Sequence, residues 1–280
     1  MHPFIFFLVP LGNIAQQPFL EFRFYLLPLR TFLPAHLGSA FRLAPHFNTV
    51  DPPLGRIDKA FLSQQTLMEL LIEHIENKDK ITTEDGSDIQ SWNGIEYNED
   101  GDVTRIDWFC VGLHGEIDLQ WLPSTITYFR ISENSLKGSV DLSHLPTKVE
   151  DVLLEGNLFD GTLDLSALPE PLDCFRASRN QFSGSLCLAS LPPKLAVLTL
   201  AHNGFSGTID LTKLPDTLRH LHLNSNNFEG YADFSVLPEA LSLLDLSDNA
   251  LLEGCLRDNV VVVARNTKIT RMSVNECLHR

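Results

Sequence analysis

Apolar residues recur along most of this chain with a fixed period of 23 residues. Leu-Pro pairs mark the same point of each period, beginning at positions 122, 145, 168, 191, 214 and 237. Between them the apolar positions follow L-x-x-L-x-L, which ends in the alternation expected of a strand with one buried face. A fixed period of this length predicts a stacked repeat, in which each unit covers the apolar face of its neighbour.

The aligned units share the consensus L-P-x-x-L-x-x-L-x-L-x-x-N-x-F-x-G-x-L-D-L-x-x. The Asn follows the predicted strand, where its amide can bond backbone donors and acceptors, so we expect an internal ladder. The Phe two residues later is expected to fill the interior, at about 2 kcal/mol per buried ring. The Asn positions are Asn134, Asn157, Asn180, Asn203, Asn226 and Asn249, and the Phe positions are Phe159, Phe182, Phe205 and Phe228.

The L-x-x-L-x-L-x-x-N core of residues 103–259 resembles the leucine-rich-repeat family. The F-S-G-x-I-D-L half is similar to the plant-type N-x-L-S-G-x-I-P, with Asp in place of Pro. The spacing also resembles the repeats of protozoan surface-antigen-like proteins. The resemblance implies an α/β repeat protein, a right-handed solenoid of about seven units. Its concave face would carry a curved parallel β-sheet, and its convex side would be mostly irregular.

Residues 51–102 are expected to form an N-terminal helical cap. A helix is predicted over 57–78. The apolar face of this helix comprises Phe61, Leu67, Leu70, Leu71, His74 and Ile75. The segments Trp92-Asn93-Gly94-Ile95 and Gly101-Asp102-Val103-Thr104 resemble the plant-type cap, which implies that the helix and Trp92 seal the first edge of the solenoid. That cap usually carries a cysteine pair, whereas only Cys110 lies nearby.

The two ends of the chain differ from the repeats. Residues 1–50 are hydrophobic and basic, and we keep three interpretations: a secretory or anchoring signal, an organelle presequence, or an unstructured tail or wrong gene start. Prolines and charges interrupt this stretch, so no transmembrane span is expected. Residues 260–280 are predicted to form a degenerate C-terminal cap and tail. In it, Val260–Val263 and Lys268–Arg271 would give one irregular strand, and Cys255 could pair with Cys277.

Charge and cysteine usage restrict the partners and the compartment. The formal net charge is −15, and residues 68–121 hold fourteen acidic residues against three basic ones. This balance argues against a nucleic-acid ligand and leaves a solvated acidic surface or a basic partner. Five cysteines, no C-x-x-C and no N-x-S/T sequon favour an intracellular setting, whereas the N-terminus favours a membrane-associated or secretory one. The sequence leaves both open, with a monomer as the default.

No catalytic or phosphate-binding signature occurs, so the sequence predicts a protein that is not an enzyme and has no cofactor. The surface expected to act is the concave sheet, where positions 7, 9 and 11 of each unit point outward between buried leucines. The predicted partner-binding residues are Arg105, Asp107, Tyr128, Arg130, Asp151, Leu153, Glu155, Arg176, His220, His222 and Asp245. Tyr and Arg are the residue types that most often anchor interfaces.

Two surfaces stand out among these residues, and each has a simpler interpretation. In the N-terminal one, Arg130–Asp107 and Arg176–Glu155 could be mutual surface pairs worth little. In the second, His220, His222 and Asp245 could bind a transition metal or act as a pH-sensitive contact. Ordinary exposed histidines are the favoured interpretation, and no metal site is predicted.

The sequence therefore predicts a non-enzymatic module that binds a protein partner through its concave sheet. One alternative is a surface-displayed or secreted antigen-like repeat protein. A regulator or substrate arm of an enzyme is a further alternative, against which the lack of a second domain of adequate length argues.

Overall fold

The structure of the protein, a computed structural model, describes residues 59–82, 88–256 and 262–271. The first nine strands are β1 Ile95–Tyr97, β2 Val103–Asp107, β3 His114–Glu116, β4 Tyr128–Arg130, β5 Ser135–Ser139, β6 Asp151–Leu153, β7 Leu158–Asp160, β8 Cys174–Arg176 and β9 Ser183–Gly184. The others are β10 Val197–Thr199, β11 Gly204–Gly207, β12 His220–His222, β13 Asn227–Ala232, β14 Leu243–Asp245, β15 Leu251–Leu256, β16 Val262–Val263 and β17 Lys268–Arg271. The helix is α1 Gln64–Leu71, and 3-10 turns occupy Lys59–Phe61, Lys78–Lys80, Ile89–Ser91, Leu119–Trp121, Leu142–His144 and Leu165–Ala167.

The main sheet of the described residues has the strand order β1-β2-β4-β6-β8-β10-β12-β14-β16. Strands β2 to β16 of this sheet are parallel, and each residue pairs with its equivalent in the next unit, as Arg105 pairs with Tyr128 and Tyr128 with Asp151. This is the parallel solenoid that the 23-residue spacing predicts. Its main sheet is the face on which the sequence places the candidate binding residues.

The opposite side of the solenoid carries more regular structure than the sequence suggested. Among the described residues, β3-β5-β7 form one short sheet and β9-β11-β13-β15-β17 form another. These strands follow the Asn of each unit and also pair in parallel, as Phe205 does with Gly184. The convex side of the described residues therefore carries two short parallel sheets, because the F-x-G segment of each unit is extended and lies against the same segment of its neighbour.

The Asn side chains join consecutive units through backbone groups. Asn157 Oδ1 accepts the backbone N–H of Leu136 at 3.1 Å, in the preceding unit. Its Nδ2 donates to the carbonyl oxygens of Ile131 at 2.9 Å and Leu154 at 3.1 Å. The same contacts recur at Asn180, Asn203, Asn226 and Asn249. Each amide thus satisfies donors and acceptors that the turn after the strand leaves unpaired.

The interior is built from stacked leucines and phenylalanines. Phe159, Phe182, Phe205 and Phe228 are all buried. The rings of Phe159 and Phe182 stack with centroids 6.3 Å apart, and those of Phe182 and Phe205 lie 6.2 Å apart. Gly184 and the equivalent glycines have positive φ. At Gly184 a Cβ would also lie 2.9 Å from Thr162 Cγ2, so glycine suits both the turn and the packing.

The N-terminal helix is shorter than the sequence predicted. Ser63 caps it by accepting the backbone N–H of Thr66 at 3.1 Å, so the helix begins at Gln64. Phe61, placed by the sequence on the apolar face, precedes this cap and is 87% exposed, and His74 follows the last turn and is exposed. The prediction of a helix over 57–78 was therefore wrong at both ends, although Leu67 and Leu71 are buried as expected.

The first edge of the solenoid is covered by extended segments as well as by apolar packing. Strand β1 pairs antiparallel with β2. On the convex side, Glu76 N–H donates to His114 O at 2.9 Å and Glu116 N–H donates to His74 O at 3.0 Å. Trp92, expected to seal this edge together with the helix, is buried in the same core. Backbone pairing therefore accompanies the apolar contacts that the sequence predicted.

The last described unit ends in two strands, where the sequence predicted a single irregular strand. One strand extends the main sheet and the other extends the convex sheet that contains β15. Val262–Val263 pairs with β14 and Lys268–Arg271 pairs with β15. Residues 260 and 261, Cys277 and the whole of 1–50 lie outside the described residues, so the expectations for them remain predictions. Gly254 is buried, and a Cβ there would lie 2.5 Å from the Phe234 ring.

Candidate functional site

The candidate site is the outward face of the main sheet. In strands β4, β6, β10, β12 and β14 the central residue is buried and its two neighbours are not, as at Phe129 between Tyr128 and Arg130, whereas in β8 Cys174 is buried as well. Each of the eleven predicted residues lies on this face. Those from Arg105 to Arg176 are adjacent across the pairs β2-β4, β4-β6 and β6-β8, with Glu155 just beyond β6. His220, His222 and Asp245 lie on β12 and β14.

Arg105 is held in place by both charge and an aromatic ring. Its guanidinium carbon lies 3.4 Å from the centroid of the Tyr128 ring. Its Nη2 is 2.9 Å from Asp107 Oδ2, and its Nε is 3.5 Å from Glu96 Oε1. Burial alone would lower the pKa of Arg105, but the hydrogen bond to Asp107 and the nearby acids raise it above its ordinary value. Arg105 is therefore a fixed cation whose charge is already compensated.

A second cation–aromatic pair lies beside the first. The guanidinium carbon of Arg130 is 3.8 Å from the centroid of the Phe109 ring. Phe109 is 46% exposed. It is not among the predicted partner-binding residues, although it belongs to an outward-pointing column. Arg130 Nε is buried and has no hydrogen-bond partner within the described part of the chain. A stack of this kind holds an arginine in one orientation while leaving donors for a ligand.

The two ion pairs suggested as the simpler interpretation do not form. Asp107 pairs with Arg105 on its own strand rather than with Arg130. Within the described residues, no salt bridge joins Arg176 to Glu155, but the Cys174 side chain raises the pKa of Arg176 against the opposing effect of burial, and the nearby charges of Glu155 and Asp151 raise it further. For Asp107 the reason is a closer partner, Arg105, two residues away on the same strand face.

The acids of the third strand lie in a less favourable environment. Burial, together with Asp173 and Glu150, raises the pKa of Asp151 despite the opposing effect of Arg105 and Arg176. Four residues further on, Glu155 Oε2 is buried and has no hydrogen-bond partner in the described structure. Such groups are uncommon in folded proteins and often mark a place where a partner completes the interaction.

Two histidines, His220 and His222, lie at the other end of the face, next to Asp245. His222 is half-buried, and this burial lowers its pKa while Asp245 opposes the shift. His220 lies on the same strand and is exposed. In the regions that the structure describes, no group of three or more His, Cys, Asp and Glu side chains is placed to hold a metal ion. Over the same regions, no helix has the length and apolar character needed to cross a membrane.

Comparison with known proteins relates this architecture to plant receptor ectodomains. Neither a family model nor a curated protein matches the sequence. Among solved structures, Pollen Receptor Kinase 3 is similar with a TM-score of 0.54 and 21% identity, over 74% of this chain and 95% of that one. The Arabidopsis receptor kinase HAESA, in complex with the peptide hormone IDA and the co-receptor SERK1, is similar with a TM-score of 0.56 and 19% identity, over 74% of this chain and 42% of that one. A second HAESA ectodomain structure, with an N-terminal extended IDA peptide, gives a TM-score of 0.53 and 18% identity over 74% and 41% of the two chains.

These similarities show the fold. The chain is a leucine-rich-repeat solenoid of about seven units, as the repeat columns predicted. The structural neighbours are receptor kinases, one of them described as a leucine-rich-repeat ectodomain. A fold at this level of identity does not specify the ligand, which has to be argued from the residues of the concave face.

Proposed function

We propose that this chain is a non-enzymatic recognition module that binds a protein partner through the concave sheet. The observation that carries the proposal is the pair of stacks formed by Arg105 with Tyr128 and Arg130 with Phe109. These four side chains lie on adjacent strands and form one preorganised surface with both apolar and charged character. Fixed aromatic and arginine side chains lose little entropy on binding and are typical of interface anchors.

Two further features support this proposal. Neighbouring concave side chains are half-buried and lie on a rigid parallel sheet, so their spacing is set by the strands rather than by loops. The solved neighbours include a receptor ectodomain in complex with a peptide hormone and a co-receptor. A binding role for the concave face of this chain is the simplest function that uses its exposed aromatic and arginine residues.

The test compares three forms of the full chain in quantitative capture from native lysate: wild type, a concave variant and a convex control. The concave variant carries Tyr128→Ala, Arg130→Ala and Arg176→Ala. The control carries Tyr231→Ala, Lys137→Ala and Lys268→Ala, which remove one tyrosine and two cations from the convex strands β13, β5 and β17. All three must first give the same melting temperature.

The expected result is a protein recovered by wild type and by the convex control but lost from the concave variant. Equal recovery by all three forms would place the partner elsewhere and overturn the proposal. Recovery of no specific protein would instead favour the surface-display interpretation.

A further inference from the structure

Leu153 lies at the centre of a cross of charges on the concave face. Across the strands it pairs with Arg130 on one side and with Arg176 on the other. Along its own strand, Asp151 precedes it by two residues and Glu155 follows it by two, on the same face. The two cations therefore lie on the axis across the strands, where neighbouring Cα atoms are roughly 5 Å apart. The two acids lie along the strand, with their Cα atoms roughly 7 Å from that of Leu153.

The two axes of this cross differ in how well their charges are satisfied. Arg130 lies over the Phe109 ring. Within the described residues neither Asp151 nor Glu155 takes part in a salt bridge, although the nearby charge of Arg176 acts on both. Carboxylates without a direct ion pair therefore lie on the axis along the strand.

The surroundings make the unused charge strongly negative. Glu150 and Asp173 lie beside Asp151, on the same pair of adjacent strands, and both are exposed. Their proximity contributes to the raised pKa of Asp151, so the three carboxylates repel one another in the free protein. Glu155 Oε2 is withdrawn from water without a hydrogen-bond donor. A cation at either position would offset a cost that the free protein bears.

We propose that the occupant of this site is an extended basic segment of the protein partner, lying along β6. Its third residue would be apolar and cover Leu153, and its first and fifth residues would be Lys or Arg facing Asp151 and Glu155. An extended chain has the same rise per residue as the strand, so side chains at positions 1, 3 and 5 fall in register with Asp151, Leu153 and Glu155. This inference rests on the proposed function and specifies its ligand.

The same cross has a second complementary arrangement, which provides the opposing hypothesis. A segment lying across the strands with acidic residues on either side of an apolar one would face Arg130 and Arg176. Charge complementarity favours the basic segment, because Arg130 already lies over Phe109, because four carboxylates surround the two arginines, and because the chain as a whole carries a charge of −15.

The experiment is a selection of random twelve-residue peptides displayed on phage against the full immobilised chain. It is run in parallel on an acid variant with Asp151→Asn and Glu155→Gln, on the concave variant defined above, and on a charge control with Asp160→Asn and Glu229→Gln. Asp160 and Glu229 are exposed on the convex strands β7 and β13, so the control changes the net charge equally but away from the site. Equal melting temperatures establish that all forms are folded.

The expected result is enrichment of peptides with Lys or Arg at positions i and i+4 and an apolar residue at i+2. These peptides should bind wild type and the charge control equally and the acid variant at least roughly tenfold less. Basic peptides without this spacing, peptides of the acidic type, equal binding to the acid variant, or no enriched motif would each overturn the inference.

Failure of this inference can be separated from failure of the proposed function. Peptides that bind the acid variant normally but not the concave variant would leave the concave face as the binding surface and remove only the basic segment. Peptides that bind both variants normally would remove both.

Discussion

The side-chain oxygen of Asn203 accepts the backbone N–H of Phe182, in the preceding repeat, at 3.1 Å. The amide nitrogen of the same side chain donates to Ala177 O at 3.0 Å and to Leu200 O at 3.1 Å. One side chain thus joins two units through backbone groups, and the ladder is continuous because Ala177 O also accepts from Asn180 and Leu200 O also accepts from Asn226. The ladder residues therefore carry more of the stability than their polar character suggests.

Replacement of Asn203 by Leu should lower the free energy of unfolding by about 3 kcal/mol, because the Phe182 N–H is left without an acceptor, at roughly 1–3 kcal/mol, and the hydrogen bonds to Ala177 O and Leu200 O are lost at roughly 1 kcal/mol each. Urea denaturation of the full chain measures this value. Asn227→Leu is the matched control, since Asn227 is exposed on β13 and the change should stay within about 0.5 kcal/mol. Equal stability of the two variants would contradict the ladder's structural role.

Phe182 lies in the middle of the aromatic stack, between Phe159 and Phe205. Phe182→Ala should destabilise the protein by about 3–5 kcal/mol, because it removes a fully buried ring and leaves a cavity between two units. Phe61→Ala, at an exposed position, should change stability by less than about 0.5 kcal/mol. Urea unfolding curves of the two variants measure both changes. A small effect of Phe182→Ala would mean that the neighbouring units can close the cavity.

Cys187 occupies a position at which other repeats have a capping Asp. In the next unit, Asp210 Oδ1 accepts the backbone N–H of Thr212 at 2.9 Å and its hydroxyl at 2.6 Å. These hydrogen bonds hold the pKa of Asp210 below its ordinary value. The double change Cys187→Asp and Ala189→Thr should therefore raise the melting temperature at neutral pH.

The pH dependence identifies the cause of that gain. A carboxylate whose pKa is lowered by folding contributes fully above its unfolded pKa, and the contribution is lost as the pH falls through the folded pKa. The gain should accordingly disappear in acid. Cys187→Ala with Ala189→Thr lacks the acceptor and should show no gain at any pH, and a gain of equal size there would rule out the cap.

Asp151 is expected to show the opposite pH behaviour. Because folding raises its pKa, its ionised form destabilises the protein. The penalty is absent below the unfolded pKa and fully present above the folded one. Asp151→Asn should therefore raise the melting temperature at pH 7 and leave it unchanged near pH 3. Asp160→Asn, which removes the same charge from an exposed convex position, controls for the change in net charge. A stability gain from Asp160→Asn as large as that from Asp151→Asn would mean that net charge and not the local site is responsible.

The strand register could be predicted from the sequence because a residue pairs with its equivalent one period away, as Val197 does with His220. The left-handed turn before the ladder Asn could not be predicted in the same way. The residue there has positive φ in every unit from the first to the last, but its type changes each time: Cys110, Glu133, Gly156, Arg179, His202, Ser225 and Asp248. The backbone is fixed there by the hydrogen bonds around the Asn, so no single residue type marks the position.

The contacts between side chains on the concave face could not be predicted from the sequence either. The columns predicted that Arg105, Asp107 and Arg130 lie close together, but they did not predict which acid each arginine would bind. The outcome depends on rotamers and on Phe109, whose ring takes the position beside Arg130 that an acid would otherwise fill. The helix ends were missed for a related reason, since the Ser63 cap outweighs the apolar periodicity that continues to Phe61.

The short reach of the ladder affects how such a gene can change. All the ladder bonds of Asn157 stay within its own repeat or the one before it. An in-frame duplication of one period would therefore give the new unit the partners it needs and leave the others intact. The recognition face can lengthen or shorten by whole strands, so evolution can alter the set of exposed side chains without disturbing the core.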